Sequence, residues 1–197
     1  MLATLRTGAA YIPLDPSYPM QRLAAIIADA RPTVVIADPR TAKNLRRDTP
    51  LLFIEPSDVA PEAVTLASAP TDDLAYIIHT SGSTGRPLGV EIERGALANF
   101  LAAMRAELRL SPDDALLAVT PYSFDIAALE LLLPLTVGAR VVIADETCAR
   151  DGGLLSARIE RGDVTVMQAT PATWQRQFRG EHPPTTLLRK TWEYAAV

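Results

Sequence analysis

Short apolar runs rich in Val, Ile and Leu alternate along this chain with segments of helical periodicity, and that alternation most constrains the fold. Residues 33–37, 51–54, 74–78, 115–119, 140–143 and 164–167 read as buried strands. Residues 21–30, 95–108, 126–133 and 153–161 read as helices, and in the first of them Leu23, Ile26, Ile27 and Ala30 form one apolar stripe. Such alternation predicts an α/β fold of layered, mostly parallel sheets with flanking helices. Ligands in such folds bind beyond the carboxyl ends of the strands. The Pro-, Ala- and Ser-containing stretch 56–70 reads as a connection. It divides a small α/β unit (1–70) from a second α/β unit (71–184), with residues 185–197 as a divergent tail.

The apolar run at 74–78 leads into TSGSTGRPLGV, residues 80–90. A buried strand that opens into a Ser/Thr/Gly loop can turn backbone N–H groups and hydroxyls onto a phosphate chain. Gly82 and Gly85 permit positive φ and close approach of a ligand to the backbone. The candidate phosphate-binding residues are therefore Thr80, Ser81, Gly82, Ser83, Thr84, Gly85 and Arg86. The same composition also suits a plain surface connection. It is not a Walker A loop, because no Gly-Lys-Ser/Thr stands at the required spacing. No Gly-x-Gly-x-x-Gly follows the first strand, which argues against a dinucleotide-dependent dehydrogenase.

With 197 residues, 48% hydrophobic, the chain can bury one substantial core or two small ones. A net charge of −4 leaves no footprint for nucleic acid or an anionic membrane. The short basic run 43–47 reads as a solvated helix face. The most apolar stretch, 126–144, is broken by Glu130, Pro134 and Arg140, so no membrane span is expected. Cys148 is the single cysteine, which suits a reducing cytoplasm. His79 and His182 lack Cys or His partners at ligand spacing, so no zinc site is expected.

Four ordered segments resemble one family. TSGSTGRPLGV is similar to the phosphate loop TSGSTGKPKGV of the adenylate-forming, AMP-binding enzymes. Upstream, RTGAAYIPLDPSYP (6–19) resembles the segment KAGAAYVPLDPSYP. Downstream, SFDIAALELLLPL (123–135) resembles the segment whose Phe-Asp pair opens the substrate-pocket helix. VTVMQATPATW (164–174) resembles the strand and turn that line the same pocket. The detail is closest to the amino-acid adenylation domains of nonribosomal peptide synthetases, and to part of their large N-terminal domain.

That resemblance implies a two-step ligase reaction with ATP and Mg2+. A carboxylate attacks the α-phosphate to give an acyl-adenylate and pyrophosphate, and the acyl group passes to the pantetheine arm of a carrier protein beside neighbouring synthetase domains. It also implies that Asp125 of the Phe124-Asp125 pair meets the α-ammonium of an amino acid, with Ile126, Leu129 and Gln168 as further substrate-pocket positions. Asp-Ile-Leu-Gln resembles the opening of the glycine-activating signature. Read from the residues alone, Asp125 is equally a helix N-cap, and Ile126 and Leu129 are equally core.

The chain departs from the pattern at several points. Arg86 and Leu88 stand where the loop usually carries two lysines, and Arg94-Gly95 stands where His-Arg is common. The magnesium-contacting turn and the distal catalytic lysine of the family have no counterpart here. The isolated chain is therefore expected to be an incomplete, inactive fragment. An acyl- or aryl-CoA ligase fragment and a non-catalytic nucleotide-binding remnant stand as alternatives.

Overall fold

The computed structural model describes residues 1–45, 50–53, 70–81, 87–169 and 190–193. The chain forms two compact units, Met1–Ala98 and Asn99–Val197. The stretch read as a connection, 56–70, lies outside the described residues except at Pro70.

In the first unit, α1 (Leu2–Arg6) and α2 (Met20–Ala30) precede β1 (Val35–Ala37) and β2 (Leu51–Phe53), which pair in parallel. Pro19 caps the start of α2, where its missing N–H costs nothing. Leu23 and Ile26 form the buried face. The helix stops at Arg31, in the left-handed region at φ 45°, whose N–H reaches the Ile27 carbonyl; Pro32 cannot continue it. The next two strands, β3 (Leu74–Ser81) and β4 (Pro87–Glu93), pair antiparallel, with Ser81 opposite Pro87. Tyr11 is laid along β3: its N–H donates to the Ala75 carbonyl (3.1 Å) and its carbonyl accepts from Ile77 (3.0 Å). The Tyr11 and Tyr76 rings lie 5.3 Å apart.

The division between the units falls inside α3 (Arg94–Leu108). The second unit continues through β5 (Ala115–Ala118), α4 (Ala127–Thr136), β6 (Arg140–Ile143), α5 (Glu146–Arg150), α6 (Gly152–Glu160), β7 (Val166–Ala169) and β8 (Lys190–Glu193). Its sheet is wholly parallel, in the order β6-β5-β7-β8. Strand alternation divides the core into two layers. Leu116 and Val166 face Met104, Leu108, Leu129 and Leu133 of α3 and α4. Leu117 and Met167 face Leu155 and Ile159 of α6. Asp145 and Asp151 cap α5 and α6, accepting from the N–H groups of Cys148 (2.8 Å) and Leu154 (2.9 Å).

The α/β expectation holds, with one strand pair antiparallel among the described residues. The sequence reading placed no strand at β4, whose apolar residues Leu88, Val90 and Ile92 alternate with Gly and Glu rather than forming a run. That alternation was the available signal. Within the stretch read as a divergent tail, Lys190–Glu193 adds a parallel strand beside β7.

Candidate functional site

In the second unit the substrate-pocket candidates are carried by the segment and helix that follow β5 and by β7, the parallel strand beside it. Phe124 and Asp125 follow β5, and Gln168 lies near the end of β7, one residue beyond the Leu117–Met167 pair. Phe124 is 55% exposed. Asp125 is exposed too, and its Oδ1 accepts from the Ile126 N–H at 2.7 Å. Helix α4 begins at Ala127 with Ile126 at the cap, so Asp125 is not the N-cap that the residues alone allowed. The chain approaches α4 through tight turns, Ala127 to Phe124, Ala128 to Asp125 and Leu129 to Ile126. These leave the Asp125 carboxylate outside the helix. Among the described residues it enters no ion pair.

Ile126 is half-buried against the layer formed by α3 and α4, and Leu129 is a fully buried member of that layer. Gln168 is 1% exposed, yet among the described residues neither its Oε1 nor its Nε2 has a hydrogen-bond partner. A buried amide left unpaired costs about 1–3 kcal/mol, and such a group in a folded protein calls for an explanation.

Sequence reasoning missed Glu130. It is fully buried on α4, one residue after Leu129. Its Oε2 accepts from the N–H groups of Val119 (3.0 Å) and Thr120 (2.9 Å), and its Oε1 from the Thr120 hydroxyl (2.8 Å). It therefore ties α4 to the turn after β5. Burial pushes its carboxyl up to about 7, although all three donors favour the anion. The signal was a lone carboxylate within an otherwise apolar helix. Cys148 is unremarkable by contrast: burial and the Asp145 carboxylate push its thiol up, away from the reactive thiolate.

In the first unit, Thr80 and Ser81 are not loop residues, as the sequence suggested. They close β3, paired with Leu88 and Pro87. Inter-strand bonding carries the strand three residues past its apolar run. The connection that carries Gly82, Ser83, Thr84, Gly85 and Arg86 lies outside the described residues. It leads into a strand, so no helix N-terminus follows it directly. Leu88 is 64% exposed on β4. Arg94 bonds the carbonyls of Leu5 (3.1 Å) and Ala9 (3.0 Å). Gly95 donates to the Thr71 carbonyl at 2.7 Å, and a Cβ there would meet that oxygen at 3.1 Å. These two departures thus serve the packing of the first unit. Two α2 side chains also reach the end of β3: Arg22 contacts Ser81 and the His79 carbonyl, and Asp29 contacts the His79 ring. The sequence reading used neither.

The model of the family described as AMP-binding enzyme matches residues 1–194. The chain belongs to the AMP-binding enzyme family. This AMP-binding chain is 43% identical over 190 residues to a dimodular nonribosomal peptide synthase of Bacillus subtilis (strain 168), covering 92% of itself and 8% of that protein. It is 33% identical to an L-proline–[L-prolyl-carrier protein] ligase of Streptomyces coelicolor, covering 100% of itself and 40% of the ligase. Among solved structures, it is similar to a four-domain nonribosomal peptide synthetase in holo form bound to AMP and glycine. There the TM-score is 0.85 at 35% identity, over 98% of this chain and 14% of the synthetase. The chain therefore spans well under two thirds of these relatives.

Among the described residues, no helix is long and apolar enough to cross a membrane.

Proposed function

We propose that this AMP-binding chain carries part of an adenylation domain that activates an amino acid, glycine in particular. The acid's carboxylate oxygen attacks the α-phosphorus of ATP. The bond to the bridging oxygen breaks, pyrophosphate leaves, and aminoacyl-AMP remains for transfer to a carrier-protein thiol. Catalysis of this kind rests on positioning and on donors aimed at the developing charge. Thr80, Ser81 and the connection through Gly82, Ser83, Thr84, Gly85 and Arg86 are assigned to the phosphates of ATP, which binds with Mg2+. Asp125 is assigned to the substrate ammonium. Ile126, Leu129 and Gln168 complete that end, with Phe124 beside it.

The observation that carries the amino-acid reading is the Asp125 carboxylate, exposed and without a cation among the described residues. An ammonium would compensate it; the alkyl or aryl chain of a simple acid would not. The orphaned Gln168 amide supports a polar ligand in the same unit. Glycine is favoured because branched Ile126 and Leu129 flank Asp125, and because the synthetase of similar fold holds glycine. One feature favours a second reading, a nucleotide binder without catalysis: an exposed Leu88 where the loop usually has a lysine.

The test is D125N, which keeps an acceptor for the Ile126 N–H and removes the charge. Stability should stay within about 0.5 kcal/mol of wild type. Glycine affinity, measured by calorimetry, should fall about a hundredfold, as expected for losing a charge-paired hydrogen bond. Undiminished glycine binding in D125N would sink the amino-acid reading and favour a ligase for simple acids.

A further inference from the structure

Two residues of α2, Arg22 and Asp29, are seven positions apart and so lie on one helix face. Both grip the end of β3. The Arg22 guanidinium donates through Nη1 to Ser81 Oγ (3.2 Å) and through Nη2 to the His79 carbonyl (3.3 Å). It lies over the Tyr18 ring at 4.5 Å, a cation–π contact that fixes its plane. Asp29 Oδ2 is 3.0 Å from His79 Nε2. The imidazole has room because Gly89 stands opposite it; a Cβ there would come within 3.1 Å of Nε2. One helix face thus holds the backbone, the ring and the neighbouring hydroxyl at the last residues of β3.

We infer that Arg22 is a positioning residue for the phosphate end of the ligand, acting through Ser81 and supplying positive charge there. The inference rests on the phosphate assignment proposed above. A serine hydroxyl has one proton and two lone pairs. With Arg22 donating to a lone pair, the Ser81 proton is left for another acceptor, and the adjacent cation polarises it toward an anion. Ser81 is exposed, so that proton can reach a ligand. Across the hairpin, Leu88 brings no charge, and Arg22 places one within hydrogen-bond distance of Ser81 from a different element. The guanidinium fork is needed because two acceptors in different directions are met at once; a lysine ammonium would not hold both in one plane.

The experiment is calorimetric titration of the 197-residue chain with inorganic tripolyphosphate and, separately, with glycine. The variants are R22Q, R22K, S81A and R22Q/S81A, with thermal melts of each. R22Q and S81A should each weaken tripolyphosphate about tenfold, the loss of one charge-assisted hydrogen bond. The double variant should be little weaker than either single one, because both changes cut the same link. Glycine affinity should be unchanged in all four, which a general loss of structure would not allow. Wild-type tripolyphosphate affinity in R22Q overturns the inference and leaves the proposed function standing. Fully additive losses overturn the route through Ser81. If R22Q does not fold, R22K decides: several-fold weakening supports the fork, and wild-type affinity overturns it. If the wild-type chain binds neither tripolyphosphate nor ATP, the phosphate assignment itself falls, and the inference with it.

Discussion

Glu130 shows how much one residue decides in this fold. Three donors converge on a carboxylate with no exposed surface, and desolvation still outweighs them, pushing it up to about 7 from 4.5. The folded chain therefore holds this proton over a range where the unfolded chain has released it. Its contribution to stability is fully present below about pH 4.5, is lost as pH rises toward about 7, and is constant above. The loss amounts to roughly 3 kcal/mol at most. E130Q is neutral throughout and should lack this component. Urea unfolding at pH 5 and pH 8 checks it: the wild type should lose more stability between the two than E130Q does. Equal losses would show that the carboxylate stays ionised across the range.

At the scale of elements, the β3–β4 hairpin depends on a missing side chain. A Cβ on Gly89 would stand 3.0 Å from Ile77 Cγ2 and 3.1 Å from His79 Nε2. The imidazole is held by Asp29 and cannot swing aside without losing that contact. G89A should destabilise the first unit by about 1–3 kcal/mol, the usual cost of overpacking. A thermal melt reads it. A second measurement, the NMR resonances of the His79 ring at fixed pH, should change with it because the ring is displaced from Asp29. An unchanged melt with an unchanged His79 resonance would mean that the hairpin relaxes freely. The second unit gains its rigidity differently. Its sheet is parallel, and β5 and β7 are buried along their full lengths, so strands that are apolar except at Gln168, with helices on both faces, stabilise it.

For the molecule as a whole, the second unit's sheet ends at β6 among the described strands, and Ile143 at its tip is 72% exposed. Exposed apolar residues on an edge strand favour association between chains. I143K should lower aggregation of the isolated chain, measured by light scattering at rising concentration. Its stability should stay within about 0.5 kcal/mol of wild type. Unchanged scattering would place the sticky surface elsewhere.

Much of this architecture is legible in the amino-acid sequence. Apolar runs at 115–119, 140–143 and 164–167 and the stripe of α2 are local patterns, and local patterns specify strands and helices because burial follows the side-chain period. The Phe124-Asp125 pair and Gln168 are singled out by resemblance alone; the fold places the pair after β5 and Gln168 on the adjacent strand β7. What only the tertiary structure decided is the partnership of residues far apart in sequence. Arg22 meets Ser81 fifty-nine positions away, and His79 meets Asp29 across fifty. The Glu130 proton depends on donors from the preceding strand's turn. Composition and spacing specify which side chains an element carries. Which charge is desolvated, which donor is shared and which amide is left unpaired depend on the packing of elements against one another.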